Sequence, residues 1–272
     1  IKVISPKINT KFLYYTLISQ WSKMKFDYTK KAHPSVIRDI YQIPLPPLPV
    51  QQEIVRILDS FTELTAELTA ELTARRRQYE HYRDELLTFG DEVIWTQLKN
   101  VATFKNGKGH EKEIVKDGKF IVVNSKFISS DGIVKKYSES QLVPLIKDDI
   151  LMVMSDLPNG KALGKCFVVD ANNLYTLNQR VCALHAKDDS QVNTAFLFYF
   201  LNRNIQLLKY DNGVDQTNLK KDDILEVLIP LLPLSKQISI VSKLNNFYTF
   251  CNDLTAGLPA EITARQKQYE YY

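Results

Sequence analysis

The sequence is poor in the residues that staple, punctuate or anchor a chain. Its 272 residues hold 3 cysteines, Cys166, Cys182 and Cys251. An odd number at wide spacing argues against both a disulfide framework and a zinc site, and leaves them as small buried hydrophobes. With 9 Gly and 11 Pro, 44% hydrophobic and 24% charged residues, the composition is that of a globular protein, neither fibrous nor disordered. No run approaches the ~20 apolar residues that cross a bilayer. Residues 1–10 lack a basic stretch leading into an apolar block, so no membrane association and a cytoplasmic location are expected.

Catalytic signatures are missing as well. There is no Gly-x-x-x-x-Gly-Lys-Ser/Thr phosphate loop and no Gly-x-Gly-x-x-Gly turn between strand and helix. Phe104-Lys105-Asn106-Gly107-Lys108-Gly109 has the wrong glycine spacing for a cofactor loop and reads as a turn. His33, His81, His110 and His185 are scattered, with no cysteine or carboxylate at metal-ligand spacing. Neither a Ser-His-Asp order nor a carboxylate pair stands out. A net charge of +4 and a pI of 8.7 are compatible with nucleic acid without establishing it.

What the sequence does contain is itself, twice. Asn9-Thr10-Lys11-Phe12-Leu13-Tyr14-Tyr15-Thr16-Leu17 returns as Asn193-Thr194-Ala195-Phe196-Leu197-Phe198-Tyr199-Phe200-Leu201, both with amphipathic helical spacing. Ile43-Pro44-Leu45-Pro46-Pro47-Leu48 returns as Ile229-Pro230-Leu231-Leu232-Pro233-Leu234. Gln51, Ile54, Val55, Leu58 and Phe61 match Gln237, Ile240, Val241, Leu244 and Phe247, and Ala74–Glu80 matches Ala264–Glu270 after a four-residue change of register. Blocks kept in order over so long a period mean duplication of a domain plus a helix, not a solenoid. Residues 1–50 then read as the tail of a first reading domain, 51–92 as a first spacer helix, 93–235 as a complete second domain, and 236–272 as a second spacer helix. The first copy lacks its front, so further sequence is expected ahead of Ile1.

In the first helix Ile54, Leu58, Phe61, Leu64, Leu68 and Leu72 form an apolar stripe that requires a partner. Val241, Leu244, Phe247 and Leu254 continue the theme in the second. Glu63–Ala74 is three copies of Glu-Leu-Thr-Ala, with small alanines that permit close helix approach. Gly257 and Pro259 interrupt the second helix, since proline costs about 3 kcal/mol in a helix interior, and predict two segments there. Each tetrad adds about 6 Å of helix, at most about two base pairs along a duplex; helix length can act as a ruler.

Between Trp95 and Leu234 short β-branched runs alternate with turns. Phe120–Val123, Ile150–Met154, Cys166–Val169 and Val181–Leu184 read as strands. The turns Lys105–Gly109, Ser129–Gly132 and Pro158–Lys161 are rich in Asn-Gly and Asp-Gly, which accept positive φ. Lysine and arginine reach phosphates, and amides and hydroxyls reach base edges. That chemistry selects Lys105, Asn106, Lys108, Ser125, Lys126, Asn159, Lys161 and Lys165, with Gln216, Asn218, Lys220 and Lys221 in a later loop. Arg180 suits either DNA or a structural ion pair. The fold class expected is mixed α/β: a domain of short strands and small helices with long helices.

Taken together, the residues resemble the DNA-specificity subunit of type I restriction-modification systems over essentially the whole chain. The carriers are Ile43–Leu48 running into Gln52-Glu53-Ile54-Val55, the Thr-Ala-Glu-Leu tetrads at 65–72, Arg77-Gln78-Tyr79-Glu80-His81-Tyr82-Arg83, their second copies, and Leu177-Asn178-Gln179-Arg180-Val181. The resemblance implies two target recognition domains reading halves of a split double-stranded DNA sequence, held apart by paired antiparallel, coiled-coil-like spacer helices. It implies docking of methyltransferase subunits, which hold S-adenosylmethionine, and recruitment of restriction subunits that translocate DNA; this chain would bind no cofactor. Lack of most of a first recognition domain leaves open a half-subunit that homodimerises. The other classes weighed are the recognition fragment of a fused methyltransferase and a purely structural coiled coil. A methyltransferase would need an Asn- or Asp-Pro-Pro-aromatic segment, which is absent.

Overall fold

The structure, a computed structural model, describes residues 3, 5–21, 42–158, 160–189, 191–252 and 257–271, and among these no helix is long and apolar enough to cross a membrane. The chain packs as two units, 1–80 with 247–272, and 81–246.

The first unit is helical. Helix α1 (Thr10–Trp21) precedes α2 (Leu48–Leu86), whose 39 residues extend about 58 Å at 1.5 Å each. Pro47 ends the preceding extended segment and its carbonyl accepts Val50 N–H (2.9 Å) and Gln51 N–H (3.1 Å), so α2 starts three residues before the expected 51, with Pro49 in its tolerant first turn. Of the apolar stripe Leu58 is buried, while Ile54, Phe61, Leu64, Leu68 and Leu72 are half-buried. The tetrad threonines do not seek a partner: Thr65, Thr69 and Thr73 each donate to the carbonyl four residues earlier, at 2.7, 2.7 and 2.9 Å.

Two further helices are α8 (Leu234–Asn252) and α9 (Leu258–Tyr271); Pro259 sits in the first turn of α9. On α8, Leu244 is buried and Val241 and Phe247 half-buried. Leu254 and the tetrad Asp253–Ala256 lie outside the described residues. Within the first unit, Tyr269 of α9 meets Tyr15 edge-on (6.4 Å), and Tyr79 of α2 meets Tyr248 of α8 (6.3 Å).

The second unit is built on two four-stranded sheets. Its strands are β1 (Ile94–Gln97), β2 (Ala102–Asn106), β3 (Ile114–Val115), β4 (Phe120–Val123), β5 (Tyr137–Ser138), β6 (Ile150–Val153), β7 (Ser155–Asp156), β8 (Cys166–Val168), β9 (Tyr175–Leu177), β10 (Val181–Ala186), β11 (Thr217–Asn218) and β12 (Leu228–Leu231). Short helices α3 (Leu98–Val101), α4 (Ser125–Ser129), α5 (Thr194–Leu201), α6 (Ile205–Leu208) and α7 (Lys221–Leu225) lie between them. One sheet has order β2-β10-β6-β8, antiparallel throughout; the other, β3-β5-β4-β9, contains a parallel β4–β9 pair.

The unbroken apolar run Ile150–Val153 is explained by burial on both faces of the first sheet. Alternate residues point to opposite sides. Ile150, Met152, Cys182 and Leu184 join Leu197 and Leu201 of α5 in one core; Leu151, Val153, Val181 and Ala183 join Phe127, Ile128 and Leu177 in a second. Cys166 and Cys182 are free and buried, and desolvation pushes the Cys182 thiol up to about 12.

The duplication reaches individual hydrogen bonds. In the first copy Gln51, fully buried, accepts Asn9 N–H (2.8 Å) and donates to Lys7 O (2.9 Å) and Pro46 O (2.7 Å). In the second, Gln237, equally buried, accepts Asn193 N–H (2.8 Å) and donates to Gln191 O (2.9 Å) and Leu232 O (2.8 Å). Tyr15 donates to Asp59 (2.7 Å) as Tyr199 does to Asn245 (2.5 Å).

Candidate nucleic-acid interface

Strand register determines which loops meet. In the antiparallel sheet Asn106 is opposite Cys182, Val181 opposite Val153, and Met152 opposite Cys166. The end of β2, the start of β10, the end of β6 and the start of β8 therefore share one edge of the domain. That edge carries Lys105, Asn106 and Lys108, then Arg180, then the β6–β8 loop with Lys161 and Lys165. Asn178 N–H bonds Val123 O (3.0 Å), so β4 ends beside the same edge and α4 follows with Ser125 and Lys126. β11 pairs with β7, just past β6, which adds Gln216 and Asn218.

Several expectations about these residues change. Lys105 and Asn106 end a strand rather than form a turn, and Gly107 does not have positive φ. Its role is close approach: an added Cβ would lie 1.9 Å from Asn178 O, because Gly107 and Lys108 donate to Val181 O (3.2 Å) and Leu177 O (3.1 Å). Ser125 and Lys126 occupy a one-turn helix capped by the Asn124 side chain, which accepts Phe127 N–H (2.9 Å). Asn218 lies in a strand, and Gln216 donates to Ser155 Oγ (2.7 Å). By contrast Asp131-Gly132 has the positive φ that its sequence suggested (51° and 81°).

The cations differ in how far the fold commits them. Lys165 is paired with Asp131 (2.9 Å) and also donates to Ser129 O (3.1 Å), Lys105 donates to Pro144 O (3.2 Å), and Lys221 lies over the Phe104 ring (5.7 Å). Lys220 and Lys221 are set back from the edge at the start of α7, where Asp223 accepts Lys220 N–H (2.7 Å). Lys108, Lys126, Lys161 and Arg180 are exposed and make no ion pair or side-chain hydrogen bond among the described residues; for Arg180 this leaves the structural ion pair unfilled. Asn159 lies outside the described residues. The loop presenting Lys161 is held by Asp156, whose carboxylate accepts Leu157, Ala162 and Leu163 N–H (2.9, 2.7 and 3.1 Å).

Asn178 and Gln179, which carry part of the resemblance, were not among the residues expected to contact DNA. Gln179 is exposed at this edge and donates to Glu111 (2.7 Å), and Asn178 accepts His110 N–H (3.0 Å). Their signal was adjacency to Arg180 in a tight β9–β10 link. His110 is fully buried, with Nδ1 on Lys108 O (2.7 Å) and Nε2 on Thr176 Oγ1 (2.9 Å), and fixes the strap after β2.

The opposite edge of the sheet has the reverse character. Asp148 and Asp149 precede β6, Asp170 follows β8, and Asp188 and Asp189 follow β10, with Lys147 and Lys187 among them. Asp149 meets His185 Nδ1 (3.0 Å), and Asp170 accepts the Tyr175 hydroxyl (2.8 Å), whose pKa burial and that bond push up to about 12. At one end cations and amides thus outnumber the carboxylates Glu111, Asp131 and Asp156, and at the other carboxylates outnumber Lys147 and Lys187. Among the described residues no group of His, Cys, Asp and Glu could hold a metal ion.

A two-core α/β domain that offers exposed cations and amides from its strand ends has the side-chain chemistry of a nucleic-acid-binding module. Comparison with known proteins gives its family. Residues 1–75 and 92–264 match the type I restriction modification DNA specificity domain, and the chain belongs to that family. It is 31% identical to a putative type I restriction enzyme specificity subunit of Haemophilus influenzae, over 98% of this chain and 71% of that protein. It is 32% identical to the type I restriction enzyme EcoR124I/EcoR124II specificity subunit of Escherichia coli, over 96% and 69%. The fold is shared with a crystallised type I S subunit from M. genitalium (TM-score 0.60, 17% identity, 98% of this chain and 72% of that one) and with a chain of a solved type I system (TM-score 0.64, 17% identity, 96% and 69%). The chain is a non-catalytic specificity subunit: its function is recognition of DNA sequence.

Proposed function

We propose that the second unit reads one half of a split DNA target through the cationic edge made by residues 105–108, 125–126, 161–165, 178–180 and 216–218. The observation that carries this is the unequal charge along one sheet, an excess of cations and amides at one end and an excess of carboxylates at the other. A duplex is a dense line of negative charge and attracts the first end while the second repels it. Lys108, Lys126, Lys161 and Arg180 contact phosphates, and Asn106, Gln179, Gln216 and Asn218 are the side chains with donors and acceptors for base edges.

In this reading the long helices hold the recognition domain at a set distance from its counterpart and dock methyltransferase subunits. Those subunits hold S-adenosylmethionine, this chain holds no cofactor, and the complex works in the cytoplasm and engages restriction subunits. Mapping methylated sites in cells tests it. Replacing residues 157–163 with the loop of a relative of different specificity should change one half-sequence and leave the gap alone. Inserting one Glu-Leu-Thr-Ala tetrad after Ala74 should lengthen the gap and leave both half-sequences alone; the reverse pattern would reject the assignment.

A further inference from the structure

The two glutamines whose bonds repeat in both copies are buried polar groups at the joint between a recognition domain and its spacer helix, and the reading function above does not use them. Each sits four residues after the proline whose carbonyl starts the helix: Gln51 after Pro47, Gln237 after Pro233. Each primary amide has one acceptor and two donors in use, and the three partners come from two separate stretches of backbone. One is the start of the preceding small helix, Lys7 and Asn9 in one copy, Gln191 and Asn193 in the other. The other is the proline segment entering the long helix, Pro46 or Leu232. The asparagine that donates to the glutamine also caps its own helix, accepting Phe12 N–H (3.1 Å) or Phe196 N–H (3.1 Å).

That geometry ties three directions at one amide: the axis of the small helix, the extended segment, and the long helix on which the glutamine itself sits. An apolar contact would be non-directional. Hydrogen bonds from a planar amide have preferred lengths and angles, and a buried backbone donor or acceptor pays a desolvation cost if it turns away. Around the joints other chemistry has drifted: Lys11 corresponds to Ala195 and Asp59 to Asn245, yet the amide and all three of its bonds are the same in both copies. A saturated buried amide is stabilising in each copy by itself; the same three bonds in both copies also give the two joints the same geometry.

We propose that Gln51 and Gln237 are positioning residues that fix the angle at which each long helix leaves its recognition domain, and so make the gap between half-sequences single-valued. The inference rests on the ruler reading above. The test is methylation mapping in cells that make the whole system, with this chain carrying Gln51→Met, Gln237→Met or Gln237→Glu. Methionine keeps the volume and removes all three bonds; glutamate keeps an acceptor for Asn193 N–H and loses both donors. The expected result is unchanged half-sequences with methylation spreading to gaps one base pair shorter and longer, at a tenth or more of the principal gap. A single-valued gap in every variant that still methylates, or loss of methylation in all three, overturns the proposal, because a positioning residue alters where reading occurs. The tetrad insertion run beside them separates the two ideas. An unmoved gap there defeats the ruler itself, while a lengthened gap with single-valued glutamine variants defeats this inference alone.

Discussion

Removing Lys108, Lys161 and Arg180 together, each to alanine, should change how DNA affinity depends on salt, and the size of the change follows from the structure. These three are exposed, lie on the cationic edge and have no competing intramolecular partner among the described residues. If each neutralises one phosphate, the triple variant loses three released counterions, and the slope of log K against log salt becomes shallower by about 2.7. Between about 50 mM and about 200 mM salt the parent should then lose roughly 40-fold more affinity than the variant. Fluorescence titration with a labelled duplex at four salt concentrations measures this. Lys165, held by Asp131, and Lys221, stacked on Phe104, serve as controls whose single substitution should move the slope less than Lys108→Ala does. An unchanged slope in the triple variant, or an equal change from the controls, would refute the placement of the duplex on this edge.

Gly107→Ala should destabilise the second unit by about 2–4 kcal/mol in urea unfolding, since its Cβ would meet Asn178 O at 1.9 Å and backbone must shift. Leu177→Ala, which opens the core directly beneath the cationic edge, should cost about 2–5 kcal/mol in the same assay. In a Cys251→Ser background, Cys166 and Cys182 should resist thiol reagents until the protein unfolds, because burial raises both thiols well above their ordinary range. The docking of α1 on α2 should be pH-sensitive. Hydrogen bonds from Lys11 and Tyr15 lower the Asp59 pKa, so their contribution is complete above the ordinary carboxylate range and is lost as pH falls through the depressed value. Protection factors for residues 10–21 should fall on acidification while those for 194–201, anchored by neutral Tyr199–Asn245, should not respond through this bond.

The parts of the fold set by periodicity were legible in the sequence. The runs at 120, 150, 166 and 181 are strands, and the two helical repeats are helices, because apolar spacing and β-branched content report burial directly. Which residues share an edge was not legible. Lys108, Lys161 and Arg180 are brought together only by the β2-β10-β6-β8 pairing order, a long-range property that no local pattern encodes. Gly107 was misjudged for the same reason: Asn-Gly implies positive φ locally, but the glycine is needed where another strand's backbone passes close by. Commitment of a lysine to a carboxylate, as in Lys165–Asp131, is equally invisible before the fold is known. Gln51 and Gln237 had left a trace, as the polar position in a repeated block of Ile, Val, Leu and Phe; a polar side chain that recurs among core residues implies a saturated buried hydrogen-bonding group.

Site-specific photocrosslinking to duplex DNA distinguishes the two ends of the β2-β10-β6-β8 sheet. A photoreactive residue placed in turn at 108, 161 and 180, and at 148, 170 and 188 on the acidic edge, asks which end of the sheet meets the duplex. Crosslinks are expected from the first three positions and none from the others; crosslinks from the acidic edge, with the cationic edge silent, would put the duplex at the wrong end of the sheet.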